Sequence, residues 1–313
     1  MEGYIYYLSN IVNTLGKRSF KGWGRKNTGR FASWCHSKFG GSLTLLEDGF
    51  IRSVGLGVEG SPSFSIVEDD IGIYYDAISP SKLEHILNTY DFASDTKLMD
   101  DAAKAMELIR RHHISKYNNA PLVDENFLAR YGMDNANEKR ILIIAQTAGD
   151  MSLKYGMAGQ FSTTEMIESA LHENPDAKLY LKIHPDVLSG KKASDIDLAY
   201  AKKHCTIIEE NVNPISLLKH FSKVYTKTSG MGLEALIVGC ECVCFGMPYY
   251  AGWGVTTDKV ICPRRTRSRS VEEIFAAAYI LYSRYYNPYQ NRDSDIFDTI
   301  EEIVKQRQAI GLI

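Results

Sequence analysis

The sequence predicts an α/β fold in two units, the second a parallel, Rossmann-like sheet, and three observations carry the prediction. At 313 residues the chain exceeds the usual size of one hydrophobic core. From residue 140 onward short apolar runs alternate with helical segments, the arrangement that builds a parallel sheet covered by helices on both faces. Several of these runs stop at polar segments, and in open α/β sheets ligands gather outside the carboxyl ends of the strands.

In the first unit, residues 1–134, strands are expected around Leu43 to Leu46 and Ser65 to Val67. Between them lies a turn-rich stretch through Gly55, Gly57, Gly60 and Pro62. Ser79-Pro80-Ser81-Lys82-Leu83-Glu84 reads as a helix start, with a serine cap, a proline in the first turn and an acid soon after. A long helical pattern runs from about Asp100 to Tyr117 and ends near Pro121. Asp69-Asp70 reads as a turn before a strand at Ile71 to Tyr75, not as a metal site.

The polar stretch Gly132 to Lys139 precedes the buried-strand run Arg140 to Ile144 and marks the boundary. The second unit, residues 135–285, is expected to place strands at Ile141 to Ala145, Lys178 to Ile183, Cys205 to Ile208, Lys223 to Thr226 and Glu241 to Phe245. Helices are expected at about Thr163 to Asn174, Pro214 to Phe221 and Gly232 to Val238. Val271 to Gln306 reads as mainly helical, and residues 286–313 are expected to return to the first unit and brace it.

Composition excludes several function classes. A net charge of −2 with 24% charged residues gives no global pull toward nucleic acid, so any anion site must be local. No apolar run approaches the length of a bilayer span. The six cysteines lack the paired spacing of zinc sites, and no signal peptide opens the chain, so a reduced cytoplasmic compartment fits best, with peripheral membrane association left open. Cys240, Cys242 and Cys244 alternate along one strand face and read as small buried hydrophobes.

The candidate chemistry lies at four strand ends. Leu43 to Leu46 runs into Glu47-Asp48-Gly49-Phe50-Ile51-Arg52, either a site or an acidic turn. Ile141 to Ala145 runs into Gln146-Thr147-Ala148-Gly149-Asp150; Leu179 to Ile183 into His184-Pro185-Asp186, with Lys182 just before; and Val224 to Thr226 into Lys227-Thr228-Ser229-Gly230. Thr228, Ser229 and Gly230 open the helix carrying Glu234, a loop suited to an anion or an ordinary helix cap. His184 with Lys182 offers positive charge for a leaving phosphate. One carboxylate group in each half suits glycosyl chemistry at a cleft between them.

Seven ordered blocks then carry a resemblance to a known family. They are Gly22 to Lys26, Leu46 to Gly57, Asp69 to Ala77, Gln146 to Asp150, Lys182 to Asp186, Thr228 to Leu236 and Phe245 to Gly254. Together they resemble the bacterial β-Kdo glycosyltransferases of capsule and O-antigen synthesis, in particular the amino-terminal, retaining module of the KpsC type. The resemblance implies a GT-B fold, two Rossmann-like domains facing across a cleft with C-terminal helices bracing back. It also implies CMP-β-Kdo as donor, no cofactor or metal required by the transferase, and a Kdo-containing glycolipid or glycan as acceptor. A second Kdo transferase module in the full-length protein is a further implied partner.

Within that resemblance, Lys182, His184, Pro185, Thr228, Ser229, Gly230, Glu234, Arg52 and Gln146 would bind the donor. Retention implies double displacement, with Asp150 as nucleophile and Glu47 as acid/base, Asp48 being the alternative to Glu47. The family segment beginning at Gln146 often carries an acid just before it, where this chain has Ala145. Two other readings stay open: an inverting, sialyltransferase-like enzyme using another CMP-ulosonic acid, and a non-catalytic glycan-binding module.

Overall fold

The computed structural model describes residues 18–183, 187 and 193–313. Two sheets organise the chain. Strand β1 (Ser19–Trp23) leads through helix α1 (Asn27–Phe39) to the parallel strand β2 (Ser42–Asp48), a βαβ unit that packs unusually closely. Glycine makes that closeness achievable, because a methyl group on Gly29 would sit 1.9 Å from the carbonyl oxygen of Gly24. Gly29→Ala is therefore expected to cost about 1 to 3 kcal/mol in chemical denaturation, and an unchanged midpoint would contradict this packing.

Strand β3 (Ser65–Asp69) pairs antiparallel with β2, and the chain then forms helices α2 (Lys82–Thr89), α3 (Thr96–His112) and α4 (Glu125–Arg130). Ser81 caps α2 by accepting from the Glu84 N–H at 3.1 Å, so Pro80 precedes the cap instead of standing in the first turn as expected. The expected strand at Ile71 to Tyr75 does not form. Asp69 instead gathers the backbone N–H groups of Ile71, Gly72 and Lys82 and the Tyr282 hydroxyl, which folds the segment into turns. Nor does α3 reach Tyr117: it stops at His112, and His113 turns the chain in a left-handed conformation at φ 54°.

The second sheet begins with β4 (Arg140–Ile144), whose five residues are all buried. It continues through α5 (Met151–Tyr155), α6 (Thr163–Glu173), β5 (Lys178–Lys182), α7 (Leu198–His204), β6 (Thr206–Ile208), α8 (Pro214–Leu218), β7 (Lys223–Thr226), α9 (Met231–Ile237), β8 (Glu241–Cys244) and β9 (Thr257–Asp258). Spatial order is β6-β5-β4-β7-β8-β9, every pairing parallel. In order of appearance that is 3-2-1-4-5-6, the doubly wound Rossmann arrangement. Continuous apolar strands arise because both faces of such a sheet are covered.

The C-terminal stretch departs from its mainly helical reading. After α10 (Val271–Phe275) and a π-helical turn at Ala276–Tyr282, the chain forms the antiparallel pair β10 (Ser283–Asn287) and β11 (Arg292–Ser294), and β10 pairs with β3. The first sheet is thus mixed, in the order β1-β2-β3-β10-β11. Helix α11 (Ile296–Ala309) then braces α3, with Arg307 donating to the His112 carbonyl at 2.6 Å. One apolar core runs from Leu45, Phe64 and Val67 through Phe275 and Tyr279 to Leu233 and Tyr250, fastening the two halves together.

All six cysteines are free and buried. Cys242 and Cys244 share the large core, their sulfurs 3.8 Å apart, whereas Cys240 sits in a different cluster with Leu217 and Phe221. The single-face expectation therefore holds for two of the three, because Cys240 precedes β8.

Candidate active site in the cleft

The order of the parallel sheet defines the cleft. Crossovers from β4 and β7 run to opposite sides, which opens a crevice past their carboxyl ends. Gln146 follows β4 and Thr228 follows β7, and the two residues lock the crevice floor. Gln146 Oε1 accepts from the Thr228 backbone N–H at 2.7 Å, while its Nε2 donates to Thr228 Oγ1 at 3.1 Å. Ser152 Oγ lies 2.9 Å from the same hydroxyl. Ser229 and Gly230 continue this floor into α9, the Ser229 hydroxyl accepting from the Met231 N–H at 3.3 Å.

Around this floor lies a cavity of about 650 Å³ that residues of both halves line. Glu47 enters from the first sheet. It is not beyond β2 but within it, paired with Val67 of β3, and accepts from the Trp23 indole N–H at 2.8 Å. Asp48, its neighbour, is turned away by strand alternation and is not among the lining residues. Its carboxylate meets Arg52 Nε at 2.9 Å, and Arg52 donates to the Ser53 hydroxyl and the Ser61 carbonyl, both at 2.9 Å. Arg52 thus holds the loop before β3, and the structure corrects its expected place beside a donor.

From the opposite side comes Asp150, the N-cap of α5, whose Oδ1 accepts from the Ser152 N–H at 2.9 Å. It is exposed at the rim of the cavity. Lys182 is also corrected: at the end of β5 it donates to the Glu210 carbonyl at 2.9 Å and does not line the cavity. Burial pushes its ammonium down to about 8. His184 and Pro185 lie outside the described residues.

The structure adds a cation that the sequence reading buried inside a helix. Lys116 lies in the loop after α3 and lines the cavity. Asn118 fixes this loop, accepting from the Ser115 N–H at 2.9 Å and donating to the Ser115 and Ser53 carbonyls. Burial pushes the Lys116 ammonium down, and the carboxylates of Asp48, Glu47 and Asp150 pull it back up. Lys116 therefore sits in the combined field of the acids from both walls. Lys26 also lines the cavity, as do Tyr74, Tyr249 and Tyr279, with Phe50 packed 4.8 Å from the Tyr249 ring and 5.0 Å from that of Tyr279.

Glu234 closes the inner wall. Its carboxyl accepts from the Ser115 hydroxyl at 2.5 Å, a contact that joins α9 to the loop after α3. Burial pushes this carboxyl from its ordinary 4.5 up to about 7, against the opposing effects of the Ser115 bond and of Lys116. A raised acid keeps its proton in the folded chain after the unfolded chain has lost it, so stability falls as pH rises through this window. Glu234→Gln is expected to melt higher than the wild type at pH 8 and to converge with it near pH 5. Parallel melting curves at both pH values would contradict the assignment.

Among the described residues, no cluster of three or more histidine, cysteine or acidic side chains is arranged to hold a metal ion. No described helix is long and apolar enough to cross a membrane. The cavity combines acids from both halves, the lysines Lys26 and Lys116, hydroxyl and amide donors and aromatic walls, a lining suited to a polar, anionic ligand.

A doubly wound parallel sheet facing a second α/β unit across a shared cleft is the GT-B class of fold. A family model described as capsule polysaccharide biosynthesis protein matches residues 21–285, and the chain belongs to that family. It is 43% identical to the Thermosulfurimonas dismutans KpsC structure titled beta Kdo 2,4 transferase, with a TM-score of 0.82 over 91% of this chain and 86% of that one. The structure titled beta Kdo 2,7 transferase of the same KpsC is 30% identical, with a TM-score of 0.72 over 96% and 89%. The capsule polysaccharide modification protein LipA of Neisseria meningitidis is 41% identical over 292 residues, 91% of this chain and 41% of that protein. The chain thus spans about two fifths of the length of that curated relative.

Proposed function

We propose that the chain is a retaining β-Kdo transferase that moves Kdo from CMP-β-Kdo to a Kdo-primed glycolipid or glycan in capsule linker synthesis. The observation that carries this reading is that Glu47 and Asp150, contributed by different halves, line one cavity together with Lys116. Two carboxylates across a cleft are what a double displacement needs. The similarity to two structures titled Kdo transferases supports the choice of sugar.

In the proposed reaction the Asp150 carboxylate attacks the anomeric carbon, and the bond to the CMP phosphate breaks with its electron pair leaving on CMP. Glu47 then takes the proton of the acceptor hydroxyl as that oxygen attacks the same carbon and releases Asp150. Asp48 is the less suited acid/base, being held by Arg52 outside the lining. Thr228, Ser229 and Gln146 are assigned to the CMP phosphate and nucleoside, and Lys116 replaces Arg52 and Lys182 as the cation for the Kdo carboxylate. The enzyme would act on the cytoplasmic side of the inner membrane, where the acceptor lipid is presented.

The test is incubation with a Kdo-terminated acceptor and CMP-Kdo generated in place by a synthetase. The reading predicts CMP release and a product whose new linkage is β by NMR. An α linkage would favour the inverting enzyme, and binding without CMP release would favour the glycan-binding module.

A further inference from the structure

The outer face of α1 is aromatic. Phe31, Trp34 and Phe39 are each about half exposed, and their rings form a continuous cluster, Phe31 stacked 5.9 Å from Trp34 and Trp34 edge-on to Phe39 at 6.0 Å. A solvent-facing helix ordinarily carries polar residues there, and contiguous exposed apolar surface marks an interaction site. The buried face of α1, carrying Gly29, Ala32 and Cys35, is already committed to the sheet.

Charge identifies what covers the aromatic cluster. Residues 18–46 contain six lysines and arginines and no aspartate or glutamate, in a chain whose net charge is −2. Lys21 and Arg25 are paired with Glu68 and Asp76. Arg30 and Lys38 are exposed beside the aromatic stripe, and Arg18 lies 6.0 Å over the Phe39 ring while donating to its carbonyl at 2.7 Å. Aromatic rings flanked by lysine and arginine on one helix face suit the interface of an anionic bilayer, where rings enter the headgroup layer and cations meet lipid phosphates. An acidic protein partner would use the cations but leave the aromatic stack without its apolar medium.

We propose that α1 docks the protein on an anionic membrane surface through Phe31, Trp34 and Phe39, with Arg18, Arg30 and Lys38 as its electrostatic rim. Lys26, immediately before α1, lines the cavity, so docking here brings the cleft to the bilayer. That consequence rests on the function proposed above; the docking itself does not.

Flotation with lipid vesicles tests it without reference to transfer. The full chain is expected to float with vesicles containing phosphatidylglycerol, to float poorly with pure phosphatidylcholine, and to lose binding as ionic strength rises. Phe31→Ser with Trp34→Ser, and separately Arg30→Glu with Lys38→Glu, should each weaken partition by about tenfold or more with thermal melting unchanged, since these side chains are exposed. Equal flotation on neutral and anionic vesicles, or variants that bind as the wild type does, would overturn the proposal. So would a Phe31→Ser, Trp34→Ser variant that turns a dimer into a monomer in light scattering without changing flotation, because the face would then be a contact between copies of this chain.

Discussion

Asp150→Ala is expected to reduce Kdo transfer by about a thousandfold or more, because it removes the atom proposed to carry the sugar between donor and acceptor. Asp150 also caps α5, so alanine has a structural cost of about 1 kcal/mol. Asp150→Asn separates the two roles. Its amide oxygen still accepts from the Ser152 N–H, so the helix stays capped, while the side chain can no longer act as a carboxylate nucleophile. Both variants should therefore lose transfer, and only the alanine should lose stability. Measured initial rates and denaturation midpoints decide this, and an active Asp150→Asn would remove Asp150 from the reaction.

The largest expected effect on stability lies between the halves rather than in the cleft. Glu84 of α2 is buried and accepts from Arg264 Nε at 2.7 Å, and its other oxygen meets Arg265 Nε at 3.4 Å. Arg265 is itself buried, donating to the Ala251 carbonyl at 2.6 Å with its guanidinium over the Trp253 ring. Glu84→Ala leaves that guanidinium buried without its carboxylate, which costs about 3 to 5 kcal/mol. Glu84→Gln retains an acceptor and should lose less. Chemical denaturation of the two variants measures the difference, and a loss under about 1 kcal/mol in Glu84→Ala would show that the contact behaves as a surface pair.

How much of this was legible in the sequence depended on burial. Strand β4 announces itself because both faces are covered and all five residues are buried, so Arg140-Ile141-Leu142-Ile143-Ile144 reads as a strand by composition alone. Strands β10 and β11 carry Ser-Arg-Tyr-Tyr-Asn and Arg-Asp-Ser, polar segments with no apolar alternation, and only the pairing of β10 with β3 and of β11 with β10 makes them strands. Helix α1 is hard to read from sequence for a related reason. Its aromatic residues lie on the exposed face and a glycine lies on the buried one, which reverses the usual helical pattern.

The site was legible in position but not in direction. Glu47, Asp150, Gln146, Thr228 and Ser229 all line the cavity, Glu47 from within β2 and the others from the segments that follow β4 and β7. Charge and bidentate geometry recommend Arg52 and Lys182 as donor contacts, yet Arg52 donates to the Ser61 carbonyl and Lys182 to the Glu210 carbonyl. Strand alternation separates Glu47 from Asp48, a distinction available from the sequence once the strand is extended to Asp48. Lys116 was hidden because His113, rather than a glycine, provides the left-handed turn that ends α3. The basic last turn Arg110-Arg111-His112 is the sequence signal that marks the helix end before the loop that carries it.

The most direct test of the central claim is the intact mass of the Glu47→Gln protein after incubation with CMP-Kdo. Without its proton acceptor the second displacement should stall, so the protein is predicted to gain the mass of one Kdo residue, with peptide mapping placing it on Asp150. The Glu47→Gln, Asp150→Ala double variant should gain nothing. A Kdo adduct that persists in the double variant would contradict the assignment of Asp150 as nucleophile.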